Sequence, residues 1–201
     1  MKNPKHFTRS RSSCWMKLSL PDFSARKAFL FFLRMVTETR RRYNGTIHFE
    51  RKREGGMMAR SVKVKLHTVI HYDDQPTVMN RQTIDGEWIQ KGTSDYLRYD
   101  EVTENDQVIP TTVKIEKGKE RMTIIRRGDV RMRLPLEARR ETSFIYQVGA
   151  MRLPLIARVE RVRMDGSESE HVVEAHYVLA TEDGETLGKH ELTITYTEEK
   201  K

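Results

Sequence analysis

Apolar and polar residues alternate with a period of two, in one run after another, from Ser61 to the end of the chain. The apolar positions of the first run are Val62, Val64, Leu66, Ile70 and Tyr72. Because successive side chains of a β-strand point to opposite faces of a sheet, this alternation predicts strands that bury one face and expose the other. No convincing helical pattern follows Met58, so the sequence predicts an all-β fold over this region.

Short turn motifs separate the runs. Asp165-Gly166 and Asp183-Gly184 are the strongest hairpin signals, because these residues tolerate the positive φ angles that tight turns between strands require. Asp85-Gly86 falls inside a run and predicts a bulge or a sharp bend there. Pro154 cannot donate to a central ladder, so residues 144–164 are expected to form one bent strand or two. Together the runs predict eight or nine sequential strands with short connections.

A meander of this kind must hide the unpaired edges of its first and last strands. Closure into an antiparallel up-and-down barrel is the simplest way to do so, because a closed sheet has no edge. A two-sheet sandwich is the alternative architecture. The length of 201 residues suits one such domain with an appendage. We expect the barrel to span residues 58–201.

The positive charge of the chain is concentrated outside this β region. The whole sequence has a net charge of +8, from 37 basic and 29 acidic residues. Residues 1–57 contain 14 of the basic and 4 of the acidic residues, which leaves 23 basic and 25 acidic residues, or −2, in the remainder. The basic isoelectric point therefore describes the N-terminal segment rather than the barrel domain.

The basic N-terminal extension, residues 1–57, is expected to be disordered or partly helical. Asp22 would cap a helix over residues 23–42, which ends in three arginines that suit a helix C-terminus. One interpretation is a basic arm that contacts nucleic acid or acidic lipid. The other is a mis-assigned start, because the Glu-Gly-Gly stretch before Met57 and Met58 can be encoded by a purine-rich ribosome-binding sequence.

Composition and spacing exclude several classes of protein. The longest unbroken apolar stretch, residues 28–33, is far shorter than the ~20 residues that a transmembrane helix needs. The same stretch makes a poor signal peptide, so we expect a cytoplasmic protein with no membrane partner. Cys14 is the only cysteine, which excludes an intramolecular disulfide and a cysteine-based zinc site.

Motifs placed in order along the β region are similar to those of a known family. They are Gly86 with Trp88, Tyr96-Leu97-Arg98-Tyr99-Asp100-Glu101, Thr112-Val113-Lys114-Ile115, Ile125-Arg126-Arg127-Gly128-Asp129-Val130-Arg131-Met132, Tyr146 with Gly149, and Leu192-Thr193-Ile194-Thr195-Tyr196. Over residues 61–196 they resemble the YwiB-like family of small bacterial proteins of unknown function. Residues 137–143 lack the family's frequent glycine, and the tyrosine-to-glycine stretch is shorter here. The resemblance implies a calycin-like, lipocalin-related β-barrel, and it implies no activity, cofactor or substrate.

The sequence offers no catalytic or metal-binding constellation. His67 and His71 are four residues apart, which on a strand with a rise of ~3.3 Å separates them by about 13 Å, too far to share one ion. His171 and His176 are an odd number of residues apart, so an unbroken strand places them on opposite faces. No nucleophile elbow, catalytic-type cysteine or glycine-rich phosphate loop occurs in the barrel region. We therefore expect no metal and no cofactor.

The candidate ligand-binding residues are polar and aromatic side chains of the family-like motifs. They are Trp88, Tyr99, Glu101, Lys114, Arg126, Arg131 and Tyr146. The interior of a barrel of about eight strands is just wide enough to be filled by side chains or to hold one small ligand. If Glu101 points inward with Arg126 or Arg131, the result is a buried ion pair or an anion-binding arginine. Otherwise these arginines coat the outside of the barrel or brace a turn.

Three functions remain open. The first is a non-enzymatic barrel that binds a small apolar or anionic ligand in a cavity of roughly a few hundred cubic ångströms. The second is a protein or nucleic-acid interaction module that uses the outer face of the barrel and the basic arm, and without that arm we expect no nucleic-acid binding. The third is an enzyme that works through the carboxylate of Glu101 inside the barrel. The chain is expected to be a monomer or a homodimer.

Overall fold

The computed structural model describes residues 59–102, 107–167 and 169–199. The expectations for the N-terminal extension, namely its helix, its basic arm and the alternative start, concern residues outside these ranges. No helix with the length and apolarity of a bilayer-spanning segment is found in the described ranges.

Ten antiparallel β-strands form a closed barrel. The strands are β1 (Ala59–His71), β2 (Val78–Lys91), β3 (Ser94–Val102), β4 (Val108–Glu116), β5 (Arg121–Arg126), β6 (Val130–Glu137), β7 (Glu141–Val148), β8 (Met151–Gly166), β9 (Glu170–Thr181) and β10 (Thr186–Glu198). Each strand pairs with its neighbours in the chain, and β1 pairs with β10, which closes the sheet. The predicted antiparallel up-and-down barrel is confirmed, with ten strands in place of the expected eight or nine.

The strand boundaries around Pro154 differ from the expected ones. Residues 144–164 belong to two strands, but the break lies at Gly149, where φ is 54°, and not at the proline. β8 runs through Pro154, which is in register with Ile145 of β7. The proline is tolerated because β9 pairs with β8 only from Leu155 onward, so no strand on that side needs its missing N–H.

Gly86 lies in the middle of β2, where a bulge or bend was expected. The expected bulge does not occur between β1 and β2, which pair without a register shift along their length. The glycine provides space instead. A Cβ at this position would lie 2.7 Å from the carbonyl oxygen of Arg98 and 2.9 Å from Cγ2 of Val64. β3 and a core side chain of β1 therefore approach β2 so closely that only glycine fits.

The two Asp-Gly motifs occupy different positions relative to their turns. Asp183-Gly184 lies in the β9–β10 turn, with a φ of 87° at the glycine, as predicted. Asp165-Gly166 forms the last two residues of β8, and Gly166 pairs with His171 of β9. The β8–β9 turn therefore follows this motif and does not contain it.

The predicted faces of the strands are confirmed, since the apolar positions point inward and form one core. The four predicted apolar positions within β1 are buried, and so are the alternate residues of β9 and β10, including Val173, Ala175, Leu192 and Ile194. His171 packs against the buried Trp88, whereas His176 contacts Arg161 on the outer surface. The two histidines thus lie on opposite faces of β9, as expected.

The ladder between β6 and β7 is short. Three residue pairs join the strands, from Val130 with Val148 to Met132 with Tyr146. Beyond them Pro135 has no N–H to donate, and its carbonyl oxygen accepts a hydrogen bond from Oγ1 of Thr142 at 2.8 Å. This seam therefore has fewer paired residues than any other in the barrel.

We predict that Gly86→Ala destabilises the barrel by about 1–3 kcal/mol, because the added methyl group overlaps a backbone oxygen held in a ladder. Urea denaturation measures the change in the free energy of unfolding. Gly118→Asn is the control, since asparagine tolerates the φ of 69° at this turn and nothing lies within 4 Å of an added Cβ. Equal losses in the two variants would contradict the close approach at Gly86.

Candidate functional site

One end of the barrel interior holds a cavity of about 140 Å³. This end carries the connections from β1 to β2, β3 to β4, β5 to β6, β7 to β8 and β9 to β10. Its apolar lining residues include Leu66, Ile70, Ile124, Met132, Leu134, Phe144, Leu155, Leu179 and Leu192. Its polar lining residues are Thr68, Asn80, Gln82, Glu101, Arg126, Tyr146, Tyr177 and His190. The cavity is smaller than the expected few hundred cubic ångströms, and its size is close to that of a protein cavity of about 150 Å³ that accommodates benzene.

Glu101 of β3 and Arg126 of β5 form a two-point ion pair in the cavity wall. Nη2 of Arg126 donates to Oε2 of Glu101 at 2.6 Å, and Nε donates to Oε1 at 3.3 Å. The two residues reach each other across β4, where Ile109 pairs with Glu101 and Thr111 pairs with Arg126. The Glu101 and Arg126 side chains are 14% and 23% exposed, so water screens the pair only in part.

The pair is electrically balanced. Burial alone would lower the pKa of Arg126, but the negative charge of Glu101, together with nearby tyrosines, raises that pKa above its ordinary value. The guanidinium group is therefore charged throughout the physiological range. Because one positive and one negative group lie side by side, the pair adds no net charge to the cavity.

Three tyrosines, Tyr99, Tyr146 and Tyr177, lie close to this pair. Burial is the main cause that raises the pKa of each phenol, while the charge of Arg126 opposes the rise and that of Glu101 adds to it. For Tyr177 the pKa is raised to about 12. The three phenols are therefore neutral at pH 7. Tyr146 and Tyr177 line the cavity, whereas Tyr99 is buried two residues before Glu101 on the same strand face.

His190 of β10 is the buried titratable group of the cavity wall that lacks a partner. It is 5% exposed, and its ring stacks on Tyr177 with a centroid distance of 5.0 Å and an interplanar angle of 7°. Its Nε2 is buried and has no hydrogen-bond partner among the described residues. Burial, followed by the positive charge of Arg126, lowers the pKa of His190 to about 3. The imidazole is therefore neutral at pH 7 and has an unused ring nitrogen.

The candidate residues from the sequence divide into three groups. Glu101, Arg126 and Tyr146 line the cavity, and Tyr99 is buried beside them. Lys114 points outward and donates to Oε1 of Glu116 at 2.9 Å. Arg131 is also on the outer face, where its Nε donates to the carbonyl oxygen of Gly128 at 3.2 Å and so braces the β5–β6 turn. Lys114 and Arg131 therefore do not reach the cavity.

Trp88, the remaining candidate, lies at the opposite end of the barrel. Its ring centroid is 4.6 Å from that of His171 and 5.6 Å from that of Tyr196, and the guanidinium carbon of Arg60 lies 5.1 Å from the Trp88 ring centroid. Trp88 is 3% exposed. It belongs to the aromatic core that fills that end and not to the cavity.

Five polar cavity residues, Thr68, Asn80, Gln82, Tyr177 and His190, were not among the candidates. A signal for Tyr177 and His190 was present in the sequence. Tyr177 has the parity of the buried positions of its strand, and His190 has the same parity as the buried Leu192. In the part of the chain that the structure describes, no three histidine, cysteine, aspartate or glutamate side chains converge as a metal-binding group.

Comparisons with known proteins agree with this architecture. The family model described as Domain of unknown function (DUF1934) matches residues 62–194. The crystal structure of ywiB protein from Bacillus subtilis is similar, with a TM-score of 0.62 and 20% sequence identity, and the match covers 72% of this chain and 96% of that chain. At this level of identity the similarity shows the fold alone. No curated protein matches the chain.

We predict that His190 makes the barrel less stable as the pH falls. The ordinary pKa of 6.5 applies to the unfolded chain and a value of about 3 to the folded one, so between these values the unfolded chain binds more protons. This linkage costs the wild type about 2 kcal/mol between pH 7 and pH 5. Urea denaturation at both pH values should show that His190→Gln loses less stability over this interval.

His176→Gln is the matched control for this pH dependence, because His176 lies on the outer face of β9 and contacts Arg161 there. The control should keep the pH dependence of the wild type. If His190→Gln and the wild type lose the same free energy between pH 7 and pH 5, the neutral, buried state assigned to His190 is wrong.

We also predict strong coupling between Glu101 and Arg126. Glu101→Gln and Arg126→Met should each cost about 2–3 kcal/mol, because each leaves a partly buried charge without its partner. The double variant should cost less than the sum, with a coupling energy of about 1–3 kcal/mol from a double-mutant cycle. The control cycle on Arg158 and Glu141, whose side chains are 46% and 54% exposed, should give less than about 1 kcal/mol. Equal coupling energies in the two cycles would show that burial does not strengthen the Glu101–Arg126 pair.

Proposed function

This chain belongs to the family described as Domain of unknown function (DUF1934), and we propose that its barrel binds a small ligand in the interior without converting it chemically. The ligand would occupy the cavity of about 140 Å³ beside Glu101, Arg126 and His190. A barrel fold is weak support for any one function, so the proposal rests on the chemistry of this site.

The unpartnered nitrogen of His190 is the observation that carries the proposal. A buried polar atom without a hydrogen bond costs roughly 1–3 kcal/mol. Nε2 of His190 is such an atom, and its residue lines the cavity. A ligand that forms a hydrogen bond with this nitrogen would recover the cost. Glu101 and Arg126, in contrast, already form hydrogen bonds with each other at two points.

The charges of the cavity favour a neutral ligand with an apolar body. The Glu101–Arg126 pair is balanced, and His190 is neutral at pH 7. An anion would have to displace Glu101 from Arg126 or add an unbalanced charge to a largely apolar space, and both are costly. The aliphatic and aromatic walls suit a molecule about the size of a substituted benzene with one hydrogen-bonding group. Of the apolar and anionic ligands expected from the sequence, the site thus supports the apolar one.

The polar groups of the cavity support binding rather than catalysis. Both carboxylate oxygens of Glu101 accept hydrogen bonds from Arg126, so the carboxylate is already engaged in an ion pair. His190, with a pKa of about 3, is a weak base at neutral pH. General acid–base catalysis needs a group whose pKa lies near the working pH and which can reach the reacting proton.

Benzyl alcohol and benzoate are matched probes for this proposal, because they share a ring and differ in charge. We predict that benzyl alcohol binds saturably and shifts the backbone amide resonances of Tyr177 and His190 in NMR spectra. Benzoate should bind at least about tenfold more weakly at pH 7, because its charge has no free partner in the cavity. Native mass spectrometry of protein purified from its own cells would report a ligand that is retained.

Two variants control this experiment. Leu192→Phe narrows the cavity and should weaken benzyl alcohol binding at least about tenfold. Val172→Phe adds a ring to the outer face of β9 and should leave the affinity within about twofold of the wild type. The proposal is overturned if benzyl alcohol does not bind, or if Leu192→Phe binds it as well as the wild type does.

A further inference from the structure

Five arginines line a shallow groove on the outer face of β6, β7 and β8. One of them, Arg126, also lines the cavity and pairs with Glu101. The other four are Arg127, Arg131, Arg133 and Arg152, and we call the surface that they form the arginine groove. Ile145 and Gln147 lie between them, and the groove runs beside the short β6–β7 ladder. Arg126 and Met132 line both the groove and the cavity, but the four arginines of the arginine groove have no part in the ligand site proposed for the interior.

The register of the sheet brings the arginines together. Arg131 of β6 pairs with Gln147 of β7, which in turn pairs with Arg152 of β8. Because neighbouring strands lie about 4.8 Å apart, the Cα atoms of Arg131 and Arg152 are about 10 Å apart on the same face. Arg133 follows Arg131 by two residues, so it shares that face at a distance of about 7 Å. The groove is therefore a compact field of positive charge.

None of the four arginines forms an ion pair with an acid in the described ranges, and this distinguishes them from most other arginines of the barrel. The arginines that do form such pairs are Arg60, Arg121, Arg126, Arg139, Arg140, Arg158 and Arg161. Acidic residues are not scarce, because the sequence from residue 58 onward has a net charge of −2. Like charges that lie this close together on one face repel one another, so the groove in this form is electrostatically unfavourable. A bound polyanion would remove that repulsion.

We propose that the arginine groove binds the phosphate backbone of a nucleic-acid strand. The planar guanidinium group matches phosphate oxygens in a two-point geometry, and phosphates are the groups that proteins contact most often when they bind nucleic acid. The arginines extend over the β5–β6 turn and two further strands, so a lone phosphate would leave several of them unused. An open groove of this extent suits a chain of phosphates.

The lining of the groove also indicates how the strand would be recognised. No aromatic residue lines it, so bases have no ring on which to stack. The expected contacts are thus to the backbone, with little sequence preference. An acidic peptide that adds a strand to a sheet is a poor alternative, because a closed barrel offers no free edge.

The test is fluorescence anisotropy of the full chain with a labelled 12-nucleotide oligothymidylate over a series of KCl concentrations. For single strands each phosphate contact contributes about 0.7 to the slope of log K against log salt. Arg131→Gln/Arg152→Gln should therefore reduce the slope by about 1.4 and weaken binding at least about tenfold at low salt. Thermal unfolding of each variant would establish that it is folded.

Arg81→Gln/Arg98→Gln is the matched control. It removes the same two charges from the outer faces of β2 and β3, which lie across the barrel from β7 and β8, and neither arginine forms an ion pair with a described acid. Since the N-terminal residues are the same in both double variants, their positive charge does not affect the comparison. The control should keep the wild-type affinity within about twofold and keep its salt slope.

Two outcomes would overturn the proposal. One is equal weakening in the two double variants, which would mean that binding depends on net charge and not on the groove. The other is polyglutamate of similar length binding as tightly as the oligonucleotide through Arg131 and Arg152, which would identify an acidic polypeptide as the partner. Benzyl alcohol binding should be unchanged in the groove variant, so the two proposals can fail separately.

Discussion

The pairing of β1 with β10 is the constraint on which the rest of the structure depends. It turns an open meander into a closed sheet, so one face of every strand becomes interior. Leu66 illustrates the consequence, because it pairs with Ile194 on β10 and with Gln82 on β2 and so brings an aliphatic and an amide side chain to one level of the interior. A slip of one residue would exchange interior and exterior side chains along a whole strand.

Closure also makes interior polar groups costly, and the barrel confines most of the large ones to one end. Trp88 and Tyr196 fill the opposite end with aromatic surface. At the cavity end, Glu101 and Arg126 neutralise each other and His190 is held neutral by burial and by the charge of Arg126. Each of these solutions lowers the cost of burying a polar group, and in the wall of the cavity the ring nitrogen of His190 is left without a partner among the described residues. The cavity is thus neutral in net charge and specific in where it can form a hydrogen bond.

Much of the fold follows from the sequence, because strands that bury one face form a sheet, and such a sheet hides its edges by closing into a barrel. Alternation predicted which face of β1 is buried, and the need to hide edges predicted a closed barrel. Gly86 was misread, because its reason is the approach of Arg98 and Val64 from neighbouring strands, which local sequence does not contain. The site was predicted in part. The family-like motifs identified Glu101 and Arg126 as candidates. Whether Arg126 or Arg131 pairs with Glu101 depends on which of the two side chains points into the barrel. His190 was missed for the same reason, since an isolated histidine in a strand has significance only when its neighbours across the cavity are known.

Charged side chains are stabilised in different ways on the two faces of the sheet. Inside, Arg126 is matched by a carboxylate at two points, because an unmatched charge in an apolar space would be prohibitive. Outside, water reduces the energy of each repulsion by its high dielectric constant, so Arg131 and Arg133 of β6 and Arg152 of β8 can lie on one face without acids between them. The same physical difference makes the interior suited to a neutral, apolar molecule and the arginine groove suited to a hydrated polyanion. Because residues of opposite parity on β6 serve the two faces, a substitution at Arg131 or Arg133 alters the outer surface and leaves Met132 and Leu134 in the cavity wall.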